Sequence, residues 1–357
     1  FGNNDTPGVI LSSAAKEYLK VYGVLVGKKP LIFTNNDSGY ETAIEFKKNG
    51  VEPIVLDTRK ETSSEIINEA KNLNINIKFS HVVVVAKGYK KVKSADIAKI
   101  SEDKKKLSQL ENIKCDCICV SGFWTPTIHL SSQSGNKTKF NEEIDAFVPS
   151  NPKQNETTIG SANGIFTLEE SLKTGFKKGF ELSKKITKKE NETIIPSVVE
   201  KKFSKHDKFW CVPLPKGKKY KRFLDFQNDV AVSDIQLAIK EGYRSIEHVK
   251  RYTTLGMATD QGRTSNLNGL QLVSEIENKV VPQVGHTTFR PPYSPVSIGA
   301  IVGREVGKHS KPTRKSPMHE WHKKNNAVFV DAGVWLRPRY YKQGNETLFE
   351  ASKREAK

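Results

Sequence analysis

The sequence predicts an α/β fold of the dinucleotide-binding kind, and three observations carry that expectation. The apolar run KPLIFT (Lys29–Thr34) reads as a short buried strand. A turn and an amphipathic helix follow over Tyr40–Asn49, with Ala43, Ile44 and Phe46 able to face a sheet. A second strand, Pro53–Leu56, then leads to Asp57, about 18 residues beyond Gly39. Strand, helix, strand and acid in that order make a βαβ opening.

Each following element has its own signal. Gly50 ends the first helix. A helix over Ser63–Asn72, a strand over His81–Ala86 and a lysine-rich hairpin around Gly88 continue the unit to about Lys106. Cys115, Cys117 and Cys119 alternate in KCDCICVSG, which on a strand points all three to one face. Zinc sites favour CxxC pairs, so these thiols read as small core side chains in a reducing compartment, and Cys211 has no obvious mate. The strand from Cys115 runs into VSGFWTP, and TTIGSANGIF (Thr157–Phe166) precedes another helix. KKITKKENETIIPSVVEKKFSKHDK reads as a charged tether. Two short helices, Ser233–Lys240 and Ser245–Tyr252, are each expected to open on a serine cap, the first closing near Gly242. TTFRPPYSPVSIGA (Thr287–Ala300) is proline-rich and extended, a connector.

Composition narrows the function classes. At 357 residues the chain exceeds what one core usually serves, so at least two packed units are expected. It opens on Phe1 and stops at NETLFEASKREAK, which reads as a fragment. Lys and Arg total 58 against 40 Asp and Glu, a formal charge of +18. The lysines are spread over every segment, and no RNA-binding aromatic signature or helix-turn-helix pattern accompanies them, so no nucleic-acid partner is expected. The longest apolar run, HVVVVA, is far too short to span a bilayer; no membrane partner and a cytoplasmic location are expected.

Two loops are candidates for a nucleotide. In FTNNDSGYETA (Phe33–Ala43), Gly39 fills the third glycine place of a phosphate-cradling turn, while Thr34 and Asn36 replace the first two. The Asn36 side chain takes the space of a phosphate, and Asp37 adds negative charge at a helix start. The loop reads as scaffold whose phosphate site has closed, the alternative being a divergent cofactor loop with Asp57 on a ribose. GSANGIFTLEES (Gly160–Ser171) is the better candidate. Gly160 and Gly164 permit close backbone approach, and Thr167 with Glu170 makes a T-x-x-E capping box whose free amides face outward.

Several stretches together resemble the alpha subunits of heterotetrameric sarcosine oxidase. They are FGNNDTPGVILSSAAKEYL, FTNNDSGYETA, VSGFWTPTIHLSSQSG, DFQNDV, EHVKRYTTLGMATDQGRTSN, TTFRPPYSPVSIGA and SPMHEWH, in the family's order. The resemblance implies a disulfide-reductase-like fold of two dinucleotide-binding domains, one inserted in the other. Residues 1–20 would end the first half of the outer NAD-binding domain, 21–108 would be the inserted domain, and 109–185 the return segment. A linker (186–218), a helical module (219–283), a Pro-rich connector (284–318) and the truncated start of an aminomethyltransferase-like folate-binding domain (319–357) would follow. The principal glycine loop for NAD would lie upstream of Phe1. The returning segment supplies the cofactor wall: Gly160, Ser161, Ala162, Asn163, Gly164, Phe166 and Leu168.

The resemblance also implies oxidation of sarcosine to glycine with hydrogen peroxide and methylenetetrahydrofolate. FMN and FAD would be held mainly by a flavin-bearing beta subunit, with smaller gamma and delta subunits, and tetrahydrofolate by the full-length chain. A related amine dehydrogenase acting on N-methylglutamate or proline, or a non-catalytic NAD-binding scaffold, are the alternatives. The helical module resembles a bacterioferritin-associated-ferredoxin domain, but Asp225-Phe-Gln227 and Asp260-Gln-Gly-Arg-Thr264 stand where its cysteines belong, so no iron–sulfur cluster is expected. The polar groups of KRYTTLGMATDQGRTS would pack NAD or a partner subunit, or serve ordinary helix packing. His319-Glu-Trp-His322 is not HExxH, and no metal is expected. No catalytic residue is assigned; His129, His248 and His286 read as structural or exposed.

Overall fold

The structure is a computed structural model that describes residues 1–122, 124–188, 195–198, 205–292, 294–304, 307 and 312–357. The chain divides into two compact units, Phe1–Ser294 and Pro295–Lys357.

The first unit is built on a parallel sheet. β1 (Val9–Leu11) leads into α1 (Ser12–Tyr22), which Gly23 closes in the left-handed region. β2 (Pro30–Thr34), buried at every residue, is followed by α2 (Ser38–Lys48) and β3 (Ile54–Asp57). α3 (Glu65–Asn72), capped by the Ser64 hydroxyl accepting from the Ile67 N–H, leads to β4 (Asn76–Phe79). β5 (His81–Lys87), β6 (Ser94–Lys99) and β7 (Glu111–Lys114) then form a separate antiparallel sheet. β8 (Cys117–Ser121) returns to the centre of the large sheet, whose order is β1-β8-β2-β3-β4 with every pairing parallel.

Side-chain alternation along β2 divides the core. Leu31 and Phe33 face the antiparallel sheet with Val82, Ile97 and Ile118. Ile32 points the other way, toward Tyr40, Phe46 and Ile67 of the helices. The cysteines depart from the expected single face. Cys117 and Cys119 pack on the helical side, but Cys115 lies before β8 and joins the opposite cluster. The cause is Asp116, whose carboxylate accepts the Lys28 and Lys29 amides at 2.8 and 2.7 Å and holds the chain out of strand register there.

The expected domain edges at 20/21 and 108/109 are corrected by this sheet. β1 precedes the first edge and β8 follows the second, yet both hydrogen-bond into the sheet that carries β2 and β3. A parallel sheet needs both faces covered and its central strands paired on each side, and β8 is what pairs the inner side of β2.

Beyond β8 come α4 (His129–Gln133), the hairpin of β9 (Lys137–Asn141) and β10 (Ala146–Ser150), a 3₁₀ turn at Gly160–Asn163 and α5 (Leu168–Thr187). Thr167 occupies the N-cap of α5 but its side chain caps nothing, so the expected capping box with Glu170 is not formed. The expected tether begins as helix, since α5 continues to Thr187; positions 189–194 and 199–204 of it lie outside the described residues. A short ladder, β11 (Phe223–Asp225) with β12 (Val230–Ala231), opens the helical module of α6 (Val232–Lys240), α7 (Ile246–Thr253), α8 (Asn266–Glu277) and α9 (Val281–Val284). Neither expected serine cap is made: Asp234 accepts the Ala231 N–H of α6, and Ser245 sits at the N-cap of α7 without a side-chain bond.

The expected connector is split. Thr287 and Phe289 are buried in the first unit, and the second unit starts at Pro295 rather than at residue 319. That unit holds α10 (Ile298–Val302), β13 (Arg314–Lys315), α11 (His319–Lys324), β14 (Ala327–Ala332), β15 (Trp335–Tyr341) and α12 (Leu348–Glu355), with strand order β13-β15-β14. Among the described residues no helix is long and apolar enough to cross a membrane.

Candidate functional site: a closed crevice and an open turn

In a parallel α/β sheet, ligands bind outside the carboxyl ends of the strands where the winding direction reverses. Here the chain winds from β2 outward to β3 and β4, while β8 and β1 lie on the other side, so the reversal falls between β2 and β8. Asn36 fills that point. Its Nδ2 donates to the Asn35 Oδ1 at 2.8 Å, to the Ser121 carbonyl at 3.4 Å and to the Gly122 carbonyl. Its Oδ1 accepts the Ser38 N–H at 2.8 Å and the Ser38 hydroxyl at 2.6 Å. A phosphate would need the same volume and the same Ser38 amide. Gly39 remains glycine for a local reason: a Cβ there would stand 2.6 Å from the Thr34 side chain.

Asp57 is equally occupied. It is fully buried, receives Arg59 Nε at 3.0 Å and Nη2 at 2.8 Å, and accepts the Tyr40 hydroxyl at 2.7 Å. Arg59 reaches Asp37 as well, at 2.8 Å. Burial opposes the guanidinium charge, but the bonds to Asp57 and then Asp37 outweigh it and raise the Arg59 pKa. Burial, followed by the Asp57 charge, raises that of Tyr40. No carboxylate oxygen is left facing outward for a ribose. This is the geometry of a closed phosphate site, and Arg59, which completes it, was not singled out from the sequence; its position two residues after the acid was the available signal.

Beside the plug lies a cavity of about 670 Å³, walled by Trp124, Phe223 and Phe226 and edged by Lys16 and Arg263. Trp124 Nε1 donates to the Ser38 hydroxyl at 3.4 Å, and the Trp124 and Phe166 ring centroids lie 6.1 Å apart.

The seven residues of the expected cofactor wall run from the Gly160–Asn163 turn through Gly164 and Phe166 to Leu168, the first residue of α5. Gly160 has φ +62° and Gly164 φ +81°, both in the region that favours glycine. Their surroundings differ. A Cβ on Gly164 would stand 2.5 Å from Ile144 Cδ1 and 3.1 Å from Val148 Cγ1, so this glycine lets the turn pack against the β9–β10 hairpin. A Cβ on Gly160 would meet nothing nearer than the Ser171 hydroxyl at 3.8 Å. Ser161, Asn163 and Leu168 are exposed, while Ala162 and Phe166 are half-buried. Glu169 and Glu170 place negative charge in the first turn of α5, where a diphosphate would need the opposite. The turn is therefore not a phosphate cradle, and its one open backbone position is Gly160.

In the helical module the cysteine-replacing positions are tied into backbone. The Asp225 carboxylate accepts the amides of Gln227 at 2.9 Å, Asn228 at 3.2 Å and Gly256 at 2.7 Å. Gln261 Nε2 donates to the Pro292 carbonyl at 2.7 Å and its Oε1 accepts the Arg290 N–H at 2.9 Å, clamping the proline-rich segment. His129 and His286 pack among rings: His129 lies 3.7 Å from Phe289, and His286 lies 5.0 Å from Phe147. Burial first, then Arg263, lowers the His129 pKa to about 4; burial first, then Lys250, does the same for His286. His248 is exposed. His319 stacks on Phe329, and His322 Nδ1 lies 2.6 Å from the Tyr341 hydroxyl. Among the described residues no group of three or more His, Cys, Asp or Glu is placed to hold a metal.

The architecture defines the chain as an α/β protein of the dinucleotide-binding class. The solved L-proline dehydrogenase of P. horikoshii superposes with a TM-score of 0.55 at 18% identity, covering 85% of this chain and 56% of that one. At that identity the likeness speaks for the fold alone.

The sequence comparisons are more specific. Residues 219–304 match the sarcosine oxidase A3 domain. Sarcosine oxidase subunit alpha of Rhizobium meliloti (strain 1021) is 36% identical over 366 residues, covering 99% of this chain and 35% of the relative. That of Corynebacterium sp. (strain U-96) is 33% identical over 373 residues, covering 100% of this chain and 37% of the relative. Along its whole length the chain is thus a relative of the sarcosine oxidase alpha subunits, as its motifs suggest, and it spans about a third of the length of the curated relatives it matches.

Proposed function

We propose that this chain is part of an alpha-type subunit of a flavin-dependent complex that oxidatively demethylates sarcosine to glycine, with hydrogen peroxide and methylenetetrahydrofolate as the other products. The observation that carries the reading is similarity to sarcosine oxidase alpha subunits over 99% of the chain, on a dinucleotide-binding fold. In this reading a flavin on a partner beta subunit supplies the redox chemistry, smaller gamma and delta subunits complete the complex, and tetrahydrofolate is held further along the full-length polypeptide. The chain's own residues position a nucleotide. Gly160 to Leu168 form one wall of an NAD site, with Phe166 braced on Trp124. No residue is assigned as acid, base or nucleophile: among the described residues Arg59 holds Asp37 and Asp57, backbone amides hold Asp225, and His129 and His286 lie among rings.

The test is co-expression of the complete gene with its flavin-bearing partner, followed by assays for peroxide and for folate-captured formaldehyde. Turnover of sarcosine is expected. Activity confined to N-methylglutamate or proline would replace the substrate assignment, and a purified full-length chain without bound NAD would leave a scaffold.

A further inference from the structure

A second recess opens at the carboxyl edge of the large sheet, farther out than the plugged crevice. Thr58 and Ser80, which directly follow β3 and β4, contribute to its wall. Its volume is about 770 Å³, and among the described residues Lys60, Lys99, Lys104, Lys106 and Lys205 line it beside two acids, Glu102 and Asp207.

The two acids do not cancel this charge. Asp207 is used internally: it accepts the Thr58 hydroxyl at 2.7 Å and pairs with Lys104, whose ammonium also donates to the Thr58 carbonyl at 2.9 Å. These bonds fix Lys104 in the recess. Glu102 pairs with Lys60 at 2.8 Å, but both side chains are largely exposed, so water screens the pair and it stabilises little. The side chains of Lys99, Lys106 and Lys205 are exposed and make no ion pair among the described residues. Three ammonium groups around one concavity repel one another, and an anion placed between them removes that repulsion.

We propose that this recess binds a small, multiply charged, phosphate-bearing anion. Lysine ammoniums on flexible stems act as separate point charges, which suits oxygens spread along linked phosphates better than one planar carboxylate. Glu61 and Glu102 interrupt the basic surface around the recess, which favours a compact anion over a nucleic-acid strand.

Titration calorimetry of the full chain with inorganic tripolyphosphate tests this. One site of micromolar affinity is expected, weakened about tenfold or more in a Lys99→Gln/Lys106→Gln variant whose unfolding midpoint is unchanged. Both lysines are exposed, so folding is retained. A Lys177→Gln/Lys185→Gln variant, which removes the same charge from the exposed face of α5, should bind as the parent does. Absence of binding, equal weakening in both variants, or tighter binding of a single-stranded oligonucleotide through Lys99 and Lys106 would each overturn the proposal.

Discussion

Arg59 decides the chemistry of the crevice. It lies 2.8 Å from both Asp37 and Asp57, with both acids fully desolvated. Replacing it with methionine removes the guanidinium shared by two buried carboxylates, and a loss of about 3–5 kcal/mol in urea unfolding is expected. Arg59→Lys should recover only part, because an ammonium cannot serve two carboxylates with a planar fork. The acids were legible in the sequence; their neutraliser was not, because a pair across 22 positions exists only once β2 and β3 lie side by side. The histidines make a second prediction. His129 and His286 titrate near 4 in the folded chain, below the ordinary 6.5, so between these values the unfolded chain binds more protons. Stability is therefore full above pH 6.5 and falls as pH drops toward 4, by up to about 1.4 kcal/mol per pH unit for each histidine. Thermal melts across that range should show the slope, and His286→Phe should reduce it.

At the scale of elements, the Gly160–Asn163 turn separates two uses of glycine. Both glycines hold positive φ, so alanine at Gly160 should cost about 1–2 kcal/mol. Gly164→Ala adds a collision with Ile144 and should cost about 1–3 kcal/mol more. In the full-length polypeptide, Gly160→Val should weaken NAD binding while Gly160→Ala largely spares it; unchanged NAD affinity in the valine variant would remove this turn from the cofactor wall. Asp225 is the corresponding anchor of the helical module. Asp225→Ala frees three backbone amides, and a loss of about 2–4 kcal/mol is expected in denaturant unfolding. The residue was visible as a departure from a cysteine pattern, but its carboxylate's reach to Gly256 was not, since that contact depends on how α7 ends.

Across the whole molecule, protection should follow the sheet order. Amides of Leu31–Phe33 and Ile118–Cys119 lie on strands paired on both sides and should exchange with solvent slowest, ahead of β13–β15 in the second unit; a hydrogen-exchange map checks this. Local pattern had placed the βαβ opening well. The expected strand Pro53–Leu56 and helix Tyr40–Asn49 fall within two residues of β3 and α2. Thr167 and Ser245 do take the N-cap position with extended backbone, but their side chains make no bond to the free amides, and Ser233 lies inside α6; composition supplies neither the helix start nor the side-chain rotamer.

Periodicity, glycine spacing and the asparagine in the phosphate loop were enough to read a dinucleotide-type fold with one closed loop, since side-chain volume and backbone freedom are properties of the residues themselves. The division of the chain, the engagement of Asp57 and the lysine-lined recess emerged only from packing. Each requires segments far apart in the chain to meet: β8 slipping between β1 and β2, Arg59 folding back on Asp37, and Lys99 and Lys106 converging with Lys205. Pairing and charge convergence are set by distance in space, which a linear pattern does not contain.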